Sequence, residues 1–121
     1  MNFGMNFEKE VQELWAKDYN CAECVFLILS NELNFELSPQ ILNMAKIMGS
    51  GYNSGCICGS LSASISFCAI YKEPNSKLAK TLYDKFTEKF GASCCRIIRK
   101  KCPCTDKVIF AINSVLEELQ K

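Results

Sequence analysis

A chain of 121 residues and 13.6 kDa is long enough for one domain with a core of its own, and this one is expected to be a single domain over residues 1–121. It is 49% hydrophobic and 22% charged with a formal net charge of +1, which excludes a global electrostatic pull toward nucleic acid or an anionic membrane. Nine cysteines without a single histidine exclude a Cys2His2 zinc site, a Cys-His hydrolase couple and a histidine-ligated haem, leaving thiolate as the soft ligand in quantity.

The amino terminus lacks the basic region and continuous apolar run of a secretory signal, since Glu8, Lys9 and Glu10 interrupt it. The run Val25 to Leu29 is too short to span a bilayer, so the expectation is a cytoplasmic protein with no membrane partner. Residues 6–18 set Phe7, Val11, Leu14 and Trp15 at helical spacing against a charged face, predicting a first amphipathic helix. Asn20 suits the N-cap of a second helix from Cys21 to about Asn34, apolar nearly all round over Val25–Leu29 and therefore central. Ser38-Pro39 signals the start of a third, with Ile41, Leu42, Ala45 and Met48 as its stripe and Gly49 as its stop.

Four of the six glycines fall between Gly49 and Ser60, which reads as a loop folded closely over something and ending in Cys56-Ile57-Cys58-Gly59. A fourth helix of small and apolar residues is predicted over Gly59–Tyr71, and a fifth after Pro74-Asn75-Ser76, stopping at Gly91. Cys94 to Lys100 reads as a short helical turn. The last helix begins near Cys104 or Thr105 and carries Val108, Ile109, Ile112, Val115, Leu116 and Leu119. With no alternating run bounded by turn signals, the expected fold is an all-α bundle of about five to six helices in which the Gly-rich loop leads into a central helix.

Eight of the nine cysteines fall in close pairs: Cys21/Cys24, Cys56/Cys58, Cys94/Cys95 and Cys102/Cys104. Three pairs sit at or just before predicted helix N-termini, whose unpaired amides and partial positive charge favour thiolate over thiol. Cys21-Ala22-Glu23-Cys24 is a C-x-x-C without the βαβ surroundings of a thioredoxin-like motif, and Cys24 equally suits the core beside Val25 and Ile28. Cys68, on an apolar face of the fourth helix, reads as core. Arg96, Arg99, Lys100 and Lys101 lie between the last two pairs, where they would favour thiolates or attract an anionic substrate, although Lys100 and Lys101 read as solvated. So short a patch fits nucleic-acid binding poorly. The loop residues Gly55, Cys56 and Gly59, with Arg96, are the candidates for contacting a cofactor.

Cys21, the run Cys58-Gly59-Ser60-Leu61-Ser62-Ala63, Phe90-Gly91 with Cys95-Arg96, and Cys104 together resemble a bacterial and archaeal family of redox-active proteins, C_GCAxxG_C_C. It is named for one cysteine, a GCAxxG element aligned here as CGAxxG, and two further cysteines. The resemblance spans about Asn20 to Val108 and implies that Cys21, Cys58, Cys95 and Cys104 are the working cysteines. The chain departs from the motif with Ser60 in place of alanine and Ala63 in place of glycine, and adds Cys24, Cys56, Cys94 and Cys102.

Two chemistries follow. In the first, a thiolate at Cys58 or Cys21 exchanges electrons with a redox partner protein through a mixed disulfide, as in a thiol-based oxidoreductase. In the second, Cys21, Cys58, Cys95 and Cys104 converge on an iron–sulfur cluster or zinc, with Cys24, Cys56, Cys94 and Cys102 as second-choice ligands. A helical adaptor with incidental cysteines is the non-catalytic alternative. Residue types alone leave all three open.

Overall fold

The residues that cap and break helices in the sequence are those that start and end them in the computed structural model, which describes residues 7–121. Helix α1 (Glu8–Ala16) follows Phe7, and the expected start at residue 6 lies outside the described residues. Helix α2 (Cys21–Glu32) opens on a complete capping box: the Asn20 side chain accepts from the Glu23 amide at 2.8 Å while the Glu23 carboxylate accepts from the Asn20 amide at 2.9 Å. Helix α3 (Pro39–Ser50) begins with Ser38 accepting from the Ile41 amide at 3.2 Å, and its helical backbone is interrupted at Gly49.

A single π-helical turn over Gly51–Gly55 continues from α3, so most of the expected loop is a wound connection. Helix α4 (Gly59–Tyr71) and helix α5 (Ser76–Phe90) have the predicted bounds, with Asn75 capping α5 and Gly91 ending it. The predicted short turn is the four-residue helix α6 (Cys95–Ile98), and helix α7 (Cys104–Leu119) closes the chain. Among the described residues there are seven α-helices and no strand, only an isolated antiparallel bridge between Ile57 and Cys94. None of these helices is long and apolar enough to cross a membrane.

The centre of the bundle is the pair α2 and α4, packed on each other and both against α3 and α7. Their sequences explain this: α2 buries eight residues from Cys21 to Leu29, and α4 buries small residues on several sides, which lets its neighbours come close. The main core gathers Val25, Phe26, Leu29, Phe67, Ile112 and Val115 between these helices. A smaller cluster of Cys58, Leu61, Phe86, Phe90 and Ile98 joins α4, α5 and α6, extended by Phe110 of α7 in edge contact with Phe90 at 5.4 Å.

Asn20 also binds across elements, its amide nitrogen donating to the carbonyls of Ala45 and Lys46 at 3.1 and 3.0 Å. These are carbonyls near the interrupted end of α3, so one side chain starts α2 and satisfies the end of α3. Replacing it with alanine removes the cap and both tertiary bonds together. Asn20→Ala is expected to cost about 2–4 kcal/mol, read as a lower urea midpoint with an unchanged m-value.

Candidate functional site

Four helix beginnings meet at one end of the bundle. Cys21 is the first residue of α2, Cys58 precedes the first residue of α4, and Cys95 and Cys104 are the first residues of α6 and α7. All four line a single cavity of about 220 Å³. Trp15, Tyr19 and Asn20, from the end of α1 and the turn after it, form one wall, and Ser60, Arg99 and Lys107 complete it. Cys21, Cys58 and Cys95 are buried while Cys104 is partly exposed, and none of the nine cysteines is in a disulfide.

Local backbone structure accounts for the convergence. The Cys58 amide donates to the Ser93 carbonyl at 2.8 Å and the Cys95 amide to the Cys56 carbonyl at 2.6 Å, so the bridge between Ile57 and Cys94 clamps the segments that carry Cys58 and Cys95. On the other side, α2 approaches the start of α4 so closely that a Cβ on Gly59 would sit 2.6 Å from the Cys21 sulfur and 2.9 Å from the Met48 carbonyl oxygen. Only glycine leaves room there for the sulfur.

The remaining cysteines go elsewhere. Cys24 is fully buried in the main core and Cys68 is buried on α4. Cys56 is exposed, Cys94 donates from its thiol to the Gly55 carbonyl at 3.0 Å, and Cys102 packs against the smaller core cluster. The four second-choice ligands therefore do not join the cavity. Of the candidate cofactor contacts, Gly59 bounds the site through Cys21, whereas Gly55, Cys56 and Arg96 lie outside its lining. Gly55, with φ of +75°, instead lies under the aliphatic stem of Arg96. Of the four cations between the last two cysteine pairs, Arg99 alone lines the cavity, and Lys100 and Lys101 are exposed.

The Cys58 thiol does not follow the helix-terminus expectation. Burial pushes the Cys58 thiol above its ordinary range; the amides of Leu61 and Ser60, aimed at the sulfur, and the Ser60 hydroxyl draw it part of the way back, and neighbouring Cys95 raises it again. A helix terminus contributes up to about 2 kcal/mol, or some 1.5 pKa units, whereas burial can shift a fully enclosed group by about 3 or more. Burial wins, and Cys58 rests as a thiol. Cys24, pushed up to about 12 by burial with Cys21 and Glu23 adding to it, and Cys68, pushed up to about 11 by burial and Glu118, are held protonated more firmly still.

Four sulfurs are in kind a suitable donor set for zinc or an iron–sulfur cluster. Among the described residues, however, no three Cys, Asp or Glu side chains stand close enough together to hold a metal ion. The side chains as placed do not fit a metal centre, and the cavity between them is open to a guest of another kind.

The sequence pattern does not mark Trp15, Tyr19, Ser60 or Lys107 as site residues, although all four line the cavity. Lys107 follows Cys104 by three positions and Arg99 follows Cys95 by four, spacings that place each cation on the same helix face as its cysteine. That was the available signal. The contribution of α1 had none, because it depends on tertiary packing.

Residues 19–118 match the model of the family described as "Putative redox-active protein (C_GCAxxG_C_C)". No curated protein and no solved structure matches the chain.

Two outcomes are expected from this geometry. Gly59→Ala should destabilise the protein by about 1–3 kcal/mol in denaturant titration, since the Met48 backbone as well as the Cys21 sulfur must shift. Stability should also fall as pH rises above 9, where Cys24 and Cys68 lose protons in the unfolded chain before they do in the folded one. Urea unfolding between pH 8 and 11 reads this decline, and Cys24→Ala should make it shallower.

Proposed function

The chain belongs to the C_GCAxxG_C_C family, and from that premise we propose that it is a two-electron thiol redox protein in which Cys58 and Cys95 exchange a disulfide with a partner. The supporting observation is the meeting of Cys21, Cys58, Cys95 and Cys104, drawn from four separate helix starts, around one cavity. Cys58 and Cys95 are the favoured couple because the bridge between their segments clamps them together and because Cys95 acts electrostatically on the Cys58 thiol.

In the proposed cycle Cys58 loses its proton and its thiolate attacks one sulfur of a partner disulfide. A Cys58–partner bond forms, the partner's S–S bond breaks, and the departing thiolate takes up a proton. Cys95, deprotonated in turn, attacks the Cys58 sulfur, forming the Cys58–Cys95 disulfide and releasing the partner's second thiolate. The protein has lost two electrons and two protons, and the partner disulfide has become two thiols. The amides of Leu61 and Ser60 oppose the burial that disfavours the Cys58 thiolate. Cys21 and Cys104 stand at the same cavity as further thiols able to receive the disulfide.

Reaction of the reduced protein with a small synthetic disulfide, followed by peptide mapping, tests the reading. The expected products are a Cys58–Cys95 link and the loss of two thiols, with turnover lowered by at least about tenfold in Cys58→Ser and unchanged in Cys56→Ser. Failure of the wild-type protein to lose thiols, or a Cys58→Ser protein as fast as wild type, overturns it.

A further inference from the structure

Lys107 occupies a place that physical chemistry disfavours three times over. Its side chain is 1% exposed, it lies in the opening turn of α7 where the helix end carries partial positive charge, and it has no ion pair or hydrogen bond among the described residues. Burying an unpaired ammonium costs stability, and the helix terminus adds to that cost. It lines the cavity at the helix starts.

Two further groups there lack a counterpart. Ser60 is wholly buried and lines the cavity, and its hydroxyl oxygen has no hydrogen-bond partner. It lies near the Cys58 sulfur and would help a thiolate there, but a protonated thiol gives it little to bond to. Arg99 brings a second cation to the wall, and no Asp or Glu is among the residues lining it. The wall thus carries two cations and an unsatisfied hydroxyl, and no carboxylate to answer them.

We infer that the cavity is a binding site for a small oxyanion, held by Lys107, Arg99 and the Ser60 hydroxyl beside the Cys58 sulfur. The guanidinium fork of Arg99 suits two oxygens of one anion, Lys107 supplies a point charge, and Ser60 donates a hydrogen bond. A volume of about 220 Å³ limits the guest to a free oxyanion or a compact carboxylate and excludes a nucleotide. If the thiol reading above is right, this anion sits on the substrate or beside it, but binding itself requires no redox step.

The chain's single tryptophan, Trp15, lines the same cavity and reports its occupancy. The reduced protein is titrated with inorganic phosphate, sulfate and acetate at constant ionic strength while Trp15 emission is recorded, with chloride as the control. A saturable change for at least one oxyanion is expected, and which of the three binds tightest separates a tetrahedral from a carboxylate guest. Lys107→Met, which keeps the buried stem, should weaken binding by about 10- to 100-fold. Ser60→Ala should weaken it less, and Lys107→Arg should retain it. No saturable response to any of the three anions by folded wild-type protein, or equal binding by Lys107→Met and Ser60→Ala, overturns the inference and leaves the cations as partners of the thiolates alone. The two readings fail separately: oxyanion binding without disulfide exchange removes only the thiol cycle, and exchange without oxyanion binding removes only this site.

Discussion

The bundle is organised around the joint that Asn20 makes between the start of α2 and the end of α3. One side chain accepts the Glu23 amide and donates to the carbonyls of Ala45 and Lys46, so the direction of α2 is fixed where Cys21 begins. The interrupted end of α3 and the π-helical turn after it then deliver Cys58 to the start of α4 close beside Cys21. The cavity is the space left where helix beginnings, which cannot pack as tightly as helix middles, are drawn to the same point.

Two effects compete over the Cys58 thiol, and their sizes decide its resting state. Amides at the start of α4 favour a charged sulfur, but the enclosure that brings Cys58 next to Cys95 removes the water that would stabilise that charge. Cys58, which from its helix terminus looks like a thiolate, is therefore held as a thiol. Lys107 and Arg99 line the same cavity, and no carboxylate does.

Much of this was legible in the residues. Asn20, Ser38-Pro39, Asn75 and Gly91 mark helix boundaries by local hydrogen-bonding chemistry that tertiary context did not override, which is why the starts of α2 and α3 and both bounds of α5 agree with the pattern. The clustering of the four cysteines was suggested by a motif resemblance, and helix-start placement gave it a physical rationale. Lys107 was legible only through its three-residue spacing from Cys104, because buried lysines are rare and a lysine between Asp106 and Val108 otherwise reads as surface. Nor could spacing show that Cys24 turns into the core while Cys21, three residues earlier, faces the cavity. That split is set by which neighbours α2 meets on each side.

The wide separation of Cys58 and Cys95 along the chain has a mechanical side. A covalent link between them would close a loop of about 40 residues containing all of α4 and α5, and in the chain-entropy picture such a staple restrains the unfolded chain by roughly 3–4 kcal/mol. The protein's resistance to heat would then record its redox history, with the oxidised form outlasting the reduced one in any compartment where unfolded chains are removed.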